Sequence, residues 1–107
     1  MNKELLLENL RNIPDFPIPG IQFKDVTSLF KKPECLREMD NALYEMYKEK
    51  GITKIVGIES RGFVMASSLA VKLNAGFVPI RKPGKLPAET ISETYGKEYG
   101  RDTIEIH

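Results

Sequence analysis

Lys54-Ile55-Val56-Gly57-Ile58-Glu59-Ser60-Arg61-Gly62-Phe63, continued by Asn74-Ala75-Gly76-Phe77-Val78-Pro79-Ile80 after ten further residues, carries the fold-class assignment. Its opening five residues form an apolar run rich in β-branched side chains, which predicts a strand. Glu59 to Gly62 reads as a turn. Between them and Asn74, the residues Phe63, Ala66, Leu69, Ala70 and Leu73 fall on one face of a helix. Asn74-Ala75-Gly76 ends that helix, and Phe77 to Ile80 is a second apolar strand. Strand, helix and strand in so short a span make a βαβ unit, whose two strands are parallel neighbours with a right-handed crossover. The predicted class is therefore α/β. Pro79 is the one discordant residue, since proline is disfavoured in central strands.

Upstream, residues 3–12 read as a short helix because Leu6, Leu10 and Ile13 recur near helical spacing. Pro14, Pro17, Pro19 and Gly20 then impose a non-helical stretch. Ile21 to Phe23 predicts a brief strand. Pro33 suits the first turn of another helix, with Leu36, Met39, Leu43 and Met46 as its apolar stripe and Gly51 as its C-cap. Downstream, Lys82 to Thr90 predicts a loop. Thr90–Tyr95 and Thr103–Ile106 alternate apolar and polar residues, as a two-stranded antiparallel arm does. The polar link between them, residues 96–102, is expected to be mobile.

Composition narrows the class further. The chain has 107 residues, 41% apolar and 29% charged, with 16 Lys plus Arg against 15 Asp plus Glu. That suits one globular domain, and no apolar run approaches the ~20 residues needed to span a membrane. The short run of leucines after Lys3 and Glu4 is too brief for a signal-peptide core. Cys35 is the sole cysteine and cannot form an internal disulfide. These features predict a cytoplasmic protein with no membrane partner. The net charge of +1 is unevenly spread: Ser60 to Ala88 holds five basic residues (Arg61, Lys72, Arg81, Lys82, Lys85) and no acid. The remainder is acidic. Such a segment attracts a small anion, whereas nucleic acid is bound by domains that are basic as a whole.

Two cationic features fall at the carboxyl ends of the predicted parallel strands, the edge where open α/β sheets bind ligands. In Glu59-Ser60-Arg61-Gly62, Ser60 can cap the helix, Arg61 adds charge, and Gly62 permits close backbone approach. A helix start of this kind can bind an anion or be an ordinary capped terminus. In Arg81-Lys82-Pro83-Gly84-Lys85, a turn gathers three cations, which can grip a phosphate or form a solvated basic turn. Occurring together on one sheet edge, they favour phosphate. The dinucleotide and P-loop fingerprints are absent, since Gly84-Lys85 is followed by Leu86. His107 is the only histidine, so His-based acid–base catalysis is not expected. Phe16 and Phe23 could face a planar ligand or pack in the core. Glu98 and Tyr99 lie on the arm, where a lid could bring them to a substrate or leave them solvated. Cys35 reads as inert packing.

Four stretches in order, Phe16 to Asp25, Gly57 to Phe63, Val78 to Pro87, and Glu98-Tyr99-Gly100, closely resemble the adenine phosphoribosyltransferase family. The match runs from about Ile13 to the last residue. That family belongs to the type I phosphoribosyltransferases, which have a parallel-sheet core, a small N-terminal hood and a lid arm. It makes AMP and pyrophosphate from adenine and 5-phosphoribosyl 1-diphosphate (PRPP), using Mg²⁺ bound mainly through PRPP, usually as a cytoplasmic homodimer.

The resemblance implies one partial domain over residues 1–107, with an adenine-binding hood at 14–30, a βαβ core at 54–81, and a basic loop and lid arm at 82–107. It implies that Phe23 stacks on adenine, with the backbone at Gln22 and the side chain of Lys24 near its edge. The family often has Arg where this chain has Lys24. Glu59, Ser60, Arg61 and Gly62 resemble the pyrophosphate loop, and Arg81, Lys82 and Lys85 resemble further pyrophosphate ligands. In related dimers this basic loop can serve the neighbouring subunit. Glu98 would handle a proton on the purine, with Tyr99 beside it on the lid. No protein metal ligand is implied.

The family's PRPP signature, two acidic residues followed by a Thr/Gly-rich loop, has no counterpart here, and the sequence contains no Asp-Asp pair. The chain is thus expected to be the N-terminal part of the enzyme, with little or no activity alone. The alternative readings are a non-catalytic PRPP- or nucleotide-sensing module on the same fold, or a transferase for another purine.

Overall fold

A computed structural model of the chain describes residues 1–87, 89–97 and 100–107. They divide into two units, Met1–Ala42 and Leu43–His107.

The first unit opens with helix α1 (Lys3–Asn9), whose first turn is capped by the Asn2 side chain accepting from the Leu5 N–H. The helix stops earlier than its leucine spacing predicts. Leu10 is already extended, and Arg11–Pro14 form strand β1, paired antiparallel with β2 (Gln22–Asp25). Pro14 explains the difference, because a residue before proline is driven out of the helical region and here enters a ladder instead. Ile13 lies opposite Phe23, and Arg11 opposite Asp25. The intervening loop closes where the Asp15 carboxylate accepts from the Gly20 N–H at 2.9 Å. Gly20 has a φ of +92°, which favours a residue without Cβ. The one-turn helix α2 (Thr27–Phe30) follows. Helix α3 (Pro33–Tyr47) starts at proline as expected, and Cys35 in its first turn is wholly buried. Of its expected stripe, Leu36, Met39 and Leu43 are half-buried, whereas Met46 is exposed. Gly51 does take a positive φ, of +67°, but it lies in turns beyond the helix end.

The second unit contains the expected βαβ: β3 (Lys54–Ile58), α4 (Arg61–Leu73) and β4 (Gly76–Arg81). The strands are parallel, with Lys54 opposite Gly76 and Ile58 opposite Ile80. Asn74 ends α4 in the left-handed conformation at φ 55°, and its N–H reaches the Ala70 and Val71 carbonyls. Ala66, Leu69 and Ala70 are buried, and Phe63 meets Phe77 edge to face at 5.4 Å. Strand β3 is covered on one face only: Gly57 is buried beneath α4, while Val56 and Ile58, on the opposite face, remain half exposed.

Pro79 fits for a geometric reason. The N–H of Gly76 and the C=O of Ile80 bond toward the β3 side, so alternation turns the Pro79 nitrogen the other way. On that side β4 pairs with the arm, among the described residues, only at Ile80 and Arg81, and Pro79 breaks no ladder bond. The arm itself, β5 (Ile91–Lys97) and β6 (Gly100–Ile106), is antiparallel as expected, giving the order β3–β4–β6–β5. Both strands are longer than their alternation predicts. The ladder continues to Lys97 opposite Gly100 and absorbs most of the link expected at 96–102.

Gly57 sets the spacing between α4 and the sheet. A Cβ there would stand 2.6 Å from Phe77 Cε1 and 3.0 Å from Ala66 Cβ, whereas one at Gly62 would meet backbone no closer than 3.8 Å. Gly57→Val should therefore cost about 1–3 kcal/mol by overpacking. That would lower the thermal midpoint by about 4–8 °C per kcal/mol. Gly62→Ala should leave the midpoint unchanged or raise it. Equal midpoints for wild type and Gly57→Val in a calorimetric scan would contradict this packing.

Candidate functional site

Two groups of the residues singled out by sequence take shape, one in each unit. In the first unit, Gln22, Phe23 and Lys24 occupy β2, where alternation sends Phe23 to one face and its two neighbours to the other. Phe23 is half-buried and packs edge to face on Phe16 at 5.1 Å, while Phe16 remains about half exposed. On the opposite face, the Gln22 side-chain oxygen accepts from Asn12 Nδ2 at 3.0 Å, and Lys24 is exposed. Phe23 and Lys24 therefore do not meet on a common surface. The backbone between them borders both.

Beside Phe23 on its own face lies a group that the sequence reading quoted but gave no role. Buried Asp25 pairs with Arg11, its cross-strand partner, whose Nε and Nη2 both donate to Asp25 Oδ2. The Thr27 N–H and hydroxyl both donate to Asp25 Oδ1. These contacts, the Thr27 hydroxyl first and the Arg11 guanidinium next, lower the Asp25 carboxyl from 3.8 to about 2. In the sequence Arg11 and Asp25 are single charged residues at the outer ends of the two strands, which identifies no partner for either.

In the second unit the cations gather at the carboxyl ends of β3 and β4. Arg61 and Gly62 open α4, and Arg81 ends β4. Lys82 and Lys85 lie in the turn that follows, where the Lys85 N–H reaches the Lys82 carbonyl and Gly84 takes a φ of +81°. Lys72 is not part of this group. It sits in the last turn of α4, with its ammonium 5.8 Å from the Tyr44 ring. Ser60 departs from expectation: its side chain makes no capping hydrogen bond. Its backbone, at φ −116° and ψ −24°, is already near-helical, whereas a capping side chain works from an extended residue.

Glu59 binds these parts together. Its carboxylate accepts from Arg81 Nε and Nη2, both at 3.3 Å, and from the Lys82 N–H at 2.8 Å. The Lys82 N–H and then the Arg81 guanidinium lower its carboxyl below the ordinary range. Arg81 also donates to the Lys85 carbonyl and lies 6.0 Å over the Phe63 ring. Glu98 and Tyr99 lie outside the described residues.

No family profile matches the chain. An adenine phosphoribosyltransferase of Phocaeicola vulgatus is 71% identical over all 107 residues, which cover 62% of that protein. One from Bacteroides thetaiotaomicron is 68% identical over the whole chain, covering 61% of its length. Along its whole length, the chain matches adenine phosphoribosyltransferases. A solved relative from Giardia lamblia, an APRTase complexed with 9-deazaadenine, superposes with a TM-score of 0.92 at 40% identity over 99% of this chain and 59% of its own. The chain thus spans about three-fifths of the length of the relatives it matches. The mixed α/β architecture with its parallel βαβ core is the one that adenine phosphoribosyltransferases share.

The Asp25 network has a pH signature. A carboxylate with a depressed folded-state pKa stabilises the fold above its unfolded value and loses that contribution as pH falls through the folded one. Wild type should therefore be more stable than Asp25→Asn at neutral pH, with the gap closing between pH 3.8 and about 2. Denaturant unfolding at a series of pH values measures the gap. A gap that stays constant down to pH 2 would contradict the pairing.

Proposed function

We propose that the chain carries the adenine-binding and pyrophosphate-binding parts of an adenine phosphoribosyltransferase, which joins adenine to the ribose of PRPP and releases pyrophosphate to give AMP. The observation that carries this is the collection of Arg61, Arg81, Lys82 and Lys85 at the carboxyl ends of two parallel strands, in a chain that matches that family throughout. Displacement at the anomeric carbon of ribose needs the leaving group's charge stabilised as it develops. Fixed cations do this without reorganising, and the Glu59 carboxylate fixes Arg81 and the Lys82 backbone before any ligand arrives.

On the purine side, the reading places adenine against Phe23, with its edge on the backbone between Gln22 and Lys24. Ser60 and Gly62 contribute through the backbone of the pyrophosphate loop. Mg²⁺ belongs to this proposal as a companion of the PRPP oxygens, where it would neutralise further charge on the leaving group. Among the described residues, no group of three His, Cys, Asp or Glu side chains could hold a metal ion, and no protein ligand is assigned to it. Glu98 as the proton-handling residue and Tyr99 on the lid rest on the resemblance alone, as do a homodimer and a cytoplasmic location. No helix among the described residues is long and apolar enough to cross a membrane.

Calorimetric titration tests the proposal through binding. The chain should bind adenine in preference to hypoxanthine, and should bind PRPP with Mg²⁺ and inorganic pyrophosphate at a shared site. Removing one charged hydrogen-bonding partner costs roughly 1.5–3 kcal/mol, so Arg81→Ala should weaken PRPP by about tenfold or more. Adenine affinity should not change. Loss of neither ligand in Arg81→Ala, or preference for hypoxanthine, would contradict the assignment.

A further inference from the structure

The arm joins the parallel core through a narrow seam. Among the described residues, β6 pairs with β4 only at Ile80 opposite Ile106 and Arg81 opposite Glu105. At that seam the half-buried Glu105 carboxylate is divided between two partners. Its Oε1 accepts from the Gly84 N–H at 2.9 Å, at the tip of the basic turn. Its Oε2 accepts from the Thr90 hydroxyl at 3.2 Å, where the chain enters β5. A further tie lies beside it: the His107 Nε2–H donates to the Pro87 carbonyl at 2.5 Å. The basic loop is therefore held by two carboxylates, Glu59 on the Lys82 N–H from the core side and Glu105 on the Gly84 N–H from the arm side.

We propose that Glu105 is a positioning residue that fastens the arm to the basic loop, so that anion binding at the loop and placement of the arm are coupled. The coupling rests on the reading of that loop as the pyrophosphate site; the fastening does not. The physical case turns on a sign. An acid beside an anion site weakens anion binding by simple Coulomb repulsion, so deleting it should strengthen binding. If Glu105 instead holds the Gly84 backbone in the geometry that presents Lys82 and Lys85, deleting it should weaken binding although a negative charge has gone. Coupling is also reciprocal, so an anion at the loop must act on the arm as strongly as the arm acts on the anion.

Two substitutions in the whole chain separate these outcomes. Glu105→Ala removes both acceptors. Glu105→Gln keeps an oxygen for the Gly84 N–H and an amide for the Thr90 hydroxyl, while removing the charge. By titration with inorganic pyrophosphate, Glu105→Ala should bind about 3–10-fold more weakly, the equivalent of one hydrogen bond of roughly 1 kcal/mol. Glu105→Gln should bind as wild type or more tightly. Amide exchange followed by NMR without ligand supplies the second readout, with the Gly84 amide exchanging faster in Glu105→Ala but not in Glu105→Gln. Pyrophosphate should shift the Thr90 and Ile91 amide signals in wild type and much less in Glu105→Ala. Equal or tighter pyrophosphate binding by Glu105→Ala would overturn the coupling, and a Gly84 amide indifferent to Glu105 would overturn the fastening. A wild-type chain that binds no pyrophosphate, with Gly84 still responding, would instead overturn the pyrophosphate reading and the coupling that rests on it.

Discussion

The Glu59 carboxylate is the contact on which the carboxyl edge of the sheet depends. It stands at the end of β3 and grips the Arg81 guanidinium and the Lys82 N–H at the end of β4. An acid among cations can cancel the charge that would attract an anion. Here it neutralises one cation while setting the course of the turn that displays the others. Because those contacts depress its carboxyl, Glu59 stays ionised throughout the neutral range and the loop needs no titration to assemble. The two strand ends are adjacent only because α4 returns the chain to a parallel register, and that packing depends in turn on the absence of a side chain at Gly57.

The βαβ unit was legible because its residues change period sharply, from a continuous apolar run to a helical stripe and back. The first unit was less so. Leu6, Leu10 and Ile13 keep helical spacing through a point where the backbone has already become β1, and only Pro14 records the change. Pro79 raised an objection that strand pairing answers: what matters is which edge its nitrogen faces, and one-dimensional pattern does not contain that. The arm's alternation gave the right topology but short strands, because the ladder runs on to Lys97 opposite Gly100, past the residues that alternate.

Site chemistry was legible as composition and position, less so as partnership. The acid-free segment pointed to the cationic edge, yet it counted Lys72, which the far end of α4 carries away to the Tyr44 ring. Ser60 has the right identity for a cap and the wrong backbone conformation to act as one. Glu105 and Asp25 gave no signal in the sequence because each is one acid in an alternating strand. Their importance arises from partners distant in sequence: Arg11, brought opposite Asp25 by register, and the Gly84 N–H and Thr90 hydroxyl that meet Glu105. The two groups, one in each unit, also differ in kind. An aromatic face beside the Arg11–Asp25 ion pair suits a flat heterocycle, and a preorganised cationic turn suits a diphosphate.

A crystal structure of the chain with bound pyrophosphate would examine the account at its centre. The account predicts the diphosphate seated at the turn after β4 and the start of α4, with its oxygens on the Lys82 and Lys85 side chains and on the Arg81 guanidinium, which Glu59 still holds. A diphosphate bound elsewhere, with this turn unoccupied and Arg81 released from Glu59, would contradict it.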